Sequence, residues 1–290
     1  MSEREGPQRE RGATEAVEPS DTTAGQPEER EMSYEHLLVK RDDGIVTITL
    51  NRPEKRNALS LPVLRELTAA FAEVGGSDAR GVILAANGPV FSAGHSFAEL
   101  AGTTVDDARA LFETCTAMLD TVQGIPQPVC AKVHALATAA GCQLVATCDL
   151  AVAAEEAAFA LSGVKAGLFC HTPLVAVARN IGRKRALEMA LTGDLVDSRT
   201  AADWGLVNRV VPAARLDEET WDLITRATRG SADARGPGKH GFYAQIGQDQ
   251  PEAYRRAIDL IAAAAVTPDA QEGMSAFLEK RPPNFRRDNP

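Results

Sequence analysis

Two runs of small residues in this sequence could present unpaired backbone N–H groups to a ligand. Residues 92–96 (SAGHS) follow the apolar segment 81–86, and residues 139–141 (AAG) follow the apolar segment 129–133. Both runs lie at the ends of predicted strands, where α/β sheets bind ligands, and the second opens a predicted helix. Two N–H groups directed at one point would stabilise an oxyanion. Small residues also permit tight packing, so spacing alone leaves both interpretations open.

The apolar periodicity predicts the elements that would position these runs. Buried, β-branched stretches alternate with amphipathic helical stretches until Thr172, after which the pattern is nearly all helical. This order is typical of an α/β chain with mostly parallel, buried strands. Strands are predicted at 35–39, 45–50, 81–86, 129–133 and 149–153, and helices around 64–74, at 106–122, from 139, and at 184–191, 216–228 and 252–264.

The first 32 residues differ from the rest of the 290-residue chain. They contain no Trp, Phe, Tyr, Leu or Ile, so they cannot bury enough apolar surface to offset the entropy of ordering. Residues 1–32 are therefore predicted to be a disordered tail. They also lack an apolar signal segment and are too acidic for a typical transit peptide, which favours a cytoplasmic protein.

Charge and cysteine content exclude several classes of protein. The net charge of −9 argues against nucleic acid or an anionic membrane as partner, and no apolar stretch is long enough to span a bilayer. Five cysteines, an odd number without C-x-x-C spacing, do not indicate a disulfide framework or a zinc site. No metal is predicted.

Longer strings resemble the crotonase superfamily of enoyl-CoA hydratases and isomerases across roughly residues 34–286. The strings that carry the likeness are 49–60 (TLNRPEKRNALS), 91–100 (FSAGHSFAEL), 139–144 (AAGCQL) with Cys148-Asp149, 191–194, 204–207 and 272–281. Strings 136–146 and 167–170 are similar to one divergent branch. The resemblance implies a ClpP/crotonase-like α/β spiral of repeated ββα units, with a core over 33–225 and a helical oligomerisation region over 226–290.

The resemblance also implies a site for an acyl-CoA thioester, a substrate rather than a cofactor. Its carbonyl oxygen would be held by the backbone N–H groups of His95 and Ala140, the latter standing where the family usually has glycine. Lys55 and Arg56 would face the CoA phosphates. The other residues implied to contact CoA or the acyl group are Asn57, Ala58, Ser96, Phe97, Ala98 and Gly141, together with Phe277 and Lys280, which often serve a neighbouring subunit of a homotrimer or hexamer.

The chain departs from the family at the positions that perform hydration. The two glutamates of a true hydratase correspond here to Gln143, whose amide cannot accept a proton at neutral pH, and Gly163, which has no side chain. Losing each proton-transfer role forfeits about 10²- to 10⁴-fold in rate, so hydration by the usual pair is not predicted.

Three functions remain open from the sequence. The first is hydratase/isomerase-family chemistry through a thioester enolate in acyl-CoA or fatty-acid metabolism. The second is decarboxylation of a malonyl-type CoA, because superfamily decarboxylases that resemble this chain carry histidine at the position of His95. The third is acyl-CoA binding without turnover.

Cys170 and His171 are predicted to be packed or surface side chains, and Asp149, Glu155 and Glu156 to be structural.

Overall fold

The structure, a computed structural model, describes Met1 and residues 33–285. Residues 33–285 belong to one compact unit. The disordered tail predicted for 1–32 lies outside the described residues apart from Met1, and the predicted division at residue 225 stays a prediction.

The described residues form two sheets. The larger has the order β1-β2-β3-β4-β6-β9, in which only the β1–β2 hairpin is antiparallel; the smaller has the order β5-β7-β8, with β5 parallel and β8 antiparallel to β7. The predicted α/β class with mostly parallel strands is confirmed. The strands are β1 (Leu37–Asp42), β2 (Ile45–Leu50), β3 (Gly81–Ala86), β4 (Val129–Val133), β5 (Ala137–Thr138), β6 (Leu150–Ala154), β7 (Ala158–Ala160), β8 (Val196–Asp197) and β9 (Arg209–Val211).

Helices follow the strands as repeated ββα units. β1-β2-α1, β4-β5-α4 and β6-β7-α5 are complete units, and in the unit that begins with β3 the second strand is reduced to a bridge between Ser92 and Ala137. The helices are α1 (Leu61–Gly75), α2 (Phe97–Leu100), α3 (Val105–Gly124), α4 (Ala140–Thr147), α5 (His171–Ile181), α6 (Arg183–Thr192), α7 (Ser198–Trp204), α8 (Leu216–Ala227), α9 (Ala232–Gln245), α10 (Gln250–Ala265) and α11 (Pro268–Glu279).

Both faces of the larger sheet are buried. Side chains alternate between the two faces along each strand, and each face packs in its own apolar cluster. Ile48 and Leu84 point to the main core with α1, α3 and α4, whereas Ile45 and Ile83 pack in a second cluster with Ile224 of α8. This explains why the strands appear in the sequence as nearly continuous apolar runs. No helix in the part of the chain that the structure describes is long and apolar enough to cross a membrane.

The prediction of a nearly all-helical chain after Thr172 is confirmed in the described residues, with two short exceptions. β8 and β9 lie in this region, and the two strands have two and three residues respectively. Segments this short show no measurable alternation of apolar residues, so periodicity could not reveal them.

Candidate active site

The first candidate donor, the N–H of His95, lies on a loop between β3 and α2 that is fixed by hydrogen bonds. The Ser92 hydroxyl donates to the carbonyl of Asn57 (2.8 Å) and accepts from the N–H of Gly94 (3.2 Å). The N–H of Leu59 in turn donates to the carbonyl of Gly94 (2.8 Å). These contacts hold the loop rigidly, while the N–H of His95 has no acceptor among the described residues.

The second candidate donor, the N–H of Ala140, begins α4. As the first residue of the helix it has no acceptor four residues earlier, and none is found elsewhere in the described residues. Ala139 precedes it with φ 51° and ψ −120°, a conformation that is uncommon for a residue other than glycine. Strain of this kind is concentrated at functional sites, where the surrounding structure enforces it.

Two glycines let these segments approach each other closely. A methyl group on Gly94, which has φ +85°, would lie 3.0 Å from the nitrogen of Ala140 and 2.9 Å from Cβ of Ala139. A methyl group on Gly141 would lie 2.5 Å from the carbonyl oxygen of Ser92. The two segments singled out from the sequence are therefore in direct contact.

A cavity of about 320 Å³ opens between the segments. Its walls are mostly apolar, and its polar side chains come from His95, Ser162, His171 and Thr172. The described residues that line it include no carboxylate. The complete lining is Ala93, His95, Phe97, Leu100, Phe112, Ala139, Ala140, Ser162, Gly163, Leu168, Phe169, Cys170, His171, Thr172 and Pro173.

The positions of the two missing glutamates differ in environment. Gly163 lines the cavity, but a methyl group there would lie 2.1 Å from the carbonyl oxygen of Leu168 and 2.8 Å from Sγ of Cys170. The space that a side chain would need is already filled. Gln143 is buried in α4 and is not part of the cavity lining, and its Oε1 has no hydrogen-bond partner among the described residues.

The His95 side chain is part of the cavity wall and is held there by two neighbouring residues. Its Nδ1 lies 3.3 Å from the carbonyl oxygen of Leu59, which can only accept, so Nδ1 carries the proton and Nε2 is a bare acceptor. The ring of Phe112 meets the imidazole edge-on at 5.2 Å between centroids, and Nε2 is buried with no partner among the described residues. Burial lowers the pKa of His95, which favours the neutral ring.

Cys170 and His171 both reach the cavity, at the start of α5. Cys170 is buried, and burial raises the pKa of its thiol, which keeps it protonated and weakly nucleophilic. His171 is exposed and packs against Phe169, with ring centroids 5.0 Å apart. These environments agree with a packed thiol and a surface imidazole.

The loop predicted to meet CoA lies beside the first donor segment. Lys55 and Arg56 are exposed, and neither forms an ion pair within the described residues. The carbonyl of Arg56 accepts from the N–H of Ala93 (3.0 Å), which ties the loop to the cavity wall. Asn57 is buried, and its amide donates to the carbonyls of Asn87 (2.7 Å) and Val90 (3.1 Å). Its side chain thus shapes the loop.

The remaining predicted residues divide into two groups. Phe97 lines the cavity and is 60% exposed, with Ser96 and Ala98 on either side of it. Phe277 and Lys280 lie elsewhere in the chain, on and after α11, and neither is part of the cavity lining. Phe277 lines a separate groove together with Met274, Leu278 and Phe285.

Sequence reasoning missed Ser162 and Phe112. The Ser162 hydroxyl lies 2.7 Å from that of Thr138, directly before the second donor segment. Its place next to Gly163 was the available signal. Phe112 does not belong to the set of apolar residues by which α3 packs against the core. An aromatic residue outside that set was the sequence feature that could have indicated a role at the site.

A profile of the enoyl-CoA hydratase/isomerase family matches residues 40–288. This chain belongs to that family. It is 42% identical over 246 residues to "Enoyl-CoA hydratase domain-containing protein 3, mitochondrial" of Rattus norvegicus, a match that covers 84% of this chain and 82% of the relative. This is the divergent branch that the strings at 136–146 and 167–170 indicate, and the resemblance is confirmed.

Solved structures show the same fold. An enoyl-CoA hydratase from Mycobacterium smegmatis superposes with a TM-score of 0.84 at 47% identity, covering 86% of this chain and 98% of the other. Human enoyl-CoA hydratase domain-containing protein 3 superposes with a TM-score of 0.81 at 42% identity, covering 86% and 99%. The predicted crotonase spiral is confirmed.

One prediction is contradicted by these comparisons. The cytoplasmic location was inferred from the acidic composition of the first residues, whereas the rat, mouse and human relatives are all named mitochondrial. The prediction is wrong because it rested on a tail composition that says nothing about the folded domain or its relatives.

Proposed function

We propose that this chain binds an acyl-CoA thioester and stabilises its enolate in an oxyanion hole made by the N–H groups of His95 and Ala140. The observation that carries the proposal is the contact between the two donor segments at one cavity, with Gly94 packed on Ala140. Two N–H donors directed at one point in a mostly apolar site stabilise a developing oxyanion far better than water does. Polarising the thioester carbonyl makes the neighbouring carbon acidic.

Lys55 and Arg56 are proposed to bind the CoA phosphates as charge-assisted partners, since both are exposed and unpaired within the described residues. The loop that carries them is tied to the cavity wall through Ala93. Ser96, Phe97 and Ala98 would then lie along the rest of the CoA between those cations and the thioester.

Hydration by a pair of carboxylates is not part of this proposal. The described cavity lining contains no carboxylate, and the carbonyl of Leu168 fills the space beside Gly163. The reaction that best suits such a site generates an enolate without a strong base. Decarboxylation of a malonyl-type CoA is therefore the second candidate. The bond to the carboxylate breaks, its electron pair forms the enolate and CO₂ leaves; the α-carbon then takes a proton from water.

Self-association is also proposed, as a homotrimer or hexamer built through the C-terminal helices. α10 and α11 expose large apolar side chains, including Ile261 (67%), Phe277 (81%) and Leu278 (79%). Apolar surface of this extent marks an interaction site in soluble proteins.

The test is butyryl-CoA binding by calorimetry, with Gly94→Ala as the probe of the hole. The added methyl would crowd the nitrogen of Ala140, so we expect affinity to fall by at least about tenfold, the loss of one hydrogen bond. Gly102→Ala is the matched control, because Gly102 also has positive φ (+74°) but no atom within 4 Å of the added methyl.

Assays of product formation then separate the candidates. Weak or absent hydration of crotonyl-CoA is expected, and turnover typical of a proficient hydratase would contradict the proposal. CO₂ release from malonyl-CoA or methylmalonyl-CoA would establish the decarboxylase, and binding without turnover across a thioester panel would establish a non-catalytic acyl-CoA-binding protein. No affinity for any acyl-CoA would overturn the whole proposal.

A further inference from the structure

Phe112 is shared by the cavity and a second, larger space. It lines the candidate active site, and together with Thr172 it also lines an open groove of about 680 Å³ along the outer face of α3. This outer face is distinct from the face of α3 that packs in the core through residues such as Leu111 and Met118. The residues of the groove are Val105, Ala108, Arg109, Phe112, Glu113, Thr116, Ala117, Asp120 and Thr172.

The cavity alone holds only a short acyl group. A protein cavity of about 150 Å³ holds one benzene ring, so a cavity of about 320 Å³ accommodates on the order of a dozen heavy atoms. A thioester with four acyl carbons fits within that limit. A dodecanoyl thioester has twelve acyl carbons besides its oxygen and sulfur and exceeds that limit, so its distal carbons need a further apolar space.

The chemistry of the groove suits an uncharged chain. Val105, Ala108, Phe112 and Ala117 supply apolar surface, and Val105 is 76% exposed although it is β-branched and apolar. The ionisable groups of the groove are of both signs, so they do not form a site for an anion or a cation. Phe112 is half-buried, and its ring belongs to the linings of both the groove and the cavity.

We propose that the α3 groove is the distal acyl subsite, and that Phe112 sets the acyl-chain length that the site accepts. This inference rests on the proposed function, since it places the thioester in the cavity between His95 and Ala140. Long acyl chains pass the Phe112 ring and lie along the outer face of α3. The predicted ligands are thus medium- to long-chain acyl-CoA thioesters as well as short ones.

The experiment measures affinity for butyryl-, octanoyl- and dodecanoyl-CoA in the full chain. Ala108→Trp fills the groove, and we expect it to lower the affinity for dodecanoyl-CoA at least tenfold relative to its effect on butyryl-CoA. Phe112→Ala removes the ring that the groove and the cavity share. This variant should raise the ratio of dodecanoyl- to butyryl-CoA affinity above that of the unmodified chain. Ala110→Trp is the matched control, because Ala110 is exposed on α3 but is not part of the groove lining.

The outcomes separate this inference from the proposed function. If the unmodified chain binds butyryl- and dodecanoyl-CoA and Ala108→Trp leaves their affinity ratio unchanged, the groove is not an acyl subsite and the inference is overturned alone. If neither thioester binds, the proposed function and the inference both fail. An altered oligomeric mass for Ala108→Trp with an unchanged ratio would show that another copy covers the groove, which also overturns the inference.

Discussion

At the scale of single residues, Gly163 decides what the cavity can do. A Cβ at this position would lie 2.1 Å from the carbonyl oxygen of Leu168 and 2.8 Å from Sγ of Cys170, so no side chain fits there. The surrounding backbone therefore excludes a carboxylate at residue 163. Substituting glutamate for Gly163 alone would not restore one in a usable position. Gln143, by contrast, keeps a side chain, and its buried amide oxygen has no partner within the described residues.

Restoring the two glutamates should not restore hydration. We expect Gln143→Glu/Gly163→Glu to show no gain in crotonyl-CoA hydration, and Gly163→Ala to lower the free energy of unfolding by about 1–3 kcal/mol through overpacking. Urea denaturation measures the second effect. Gly238→Ala is the control, because it adds a methyl group to helix α9 with no atom within 4 Å and should be neutral or stabilising. Efficient hydration by the double variant would contradict this account.

The sequence locates the two segments of the candidate site, because small residues follow apolar strands at 92–96 and 139–141. Residue types alone leave their role open, and the choice of the His95 and Ala140 N–H groups as donors depends on the family resemblance. Ser162 and Phe112 could not be located in this way, because they reach the cavity only when distant elements pack together. The Leu168 carbonyl has no side-chain signal at all, since its effect on residue 163 depends on the path of the backbone.

At the scale of elements, a buried ion pair joins α9 to the ends of two strands. Nζ of Lys239 lies 2.8 Å from Oδ2 of Asp149, and the two side chains are only 8% and 16% exposed. Asp149 also accepts from the N–H of Val129 (2.7 Å) and from the hydroxyl of Tyr243 (2.7 Å). Burial lowers the pKa of Lys239, whereas the carboxylate of Asp149 opposes that shift. The structural role predicted for Asp149 agrees with these contacts.

Removing the cation should loosen α9. Lys239→Met leaves the mostly buried Asp149 carboxylate without its cation, and breaking a buried ion pair costs about 3–5 kcal/mol of unfolding free energy. Chemical denaturation checks the value. Arg255→Met removes a cation that pairs with Glu252 in solvent, and its denaturation midpoint should be almost unchanged. Equal midpoints for the two variants would show that the buried pair is not important.

The element pattern explains which parts of the fold the sequence reveals. The predicted strands at 81–86 and 129–133 match β3 and β4 because both are buried runs, and the helix predicted at 106–122 is extended by only a few residues in α3. β5, β7 and β8 form the smaller sheet but have two or three residues each. Their pairing is fixed by the tertiary arrangement of the units and not by local pattern.

At the scale of the whole molecule, the C-terminal helices leave apolar surface without a cover within the described chain. Ile258 and Ile261 of α10 and Phe277 and Leu278 of α11 are each at least 60% exposed. In a chain of ordinary soluble composition and net charge −9, such surface is unlike the polar exterior of a monomer. Phe277 of α11 and Lys280, directly after that helix, are the residues that the family resemblance implies to contact CoA, often in a neighbouring subunit.

Charge introduced on this surface should separate the subunits. Phe277→Glu/Leu278→Glu is expected to lower the mass found by analytical ultracentrifugation from that of a trimer or hexamer towards that of one chain. Ser275→Glu is the control, since it places a carboxylate on an exposed position of the same helix without removing apolar surface. A monomeric unmodified chain, or an unchanged mass for the double variant, would contradict the proposed assembly.

The contact between Gly141 and Ser92 has a consequence for the timing of ligand recognition. The Ser92 carbonyl occupies the place that a side chain on Gly141 would fill, and it also accepts from the N–H of Thr138 (3.0 Å). The two halves of the site are thus locked to each other by the backbone before any ligand arrives. The conformational entropy needed to bring the two donors together is lost during folding. An incoming thioester therefore binds to a preorganised pair of donors, and its binding energy is not reduced by that cost.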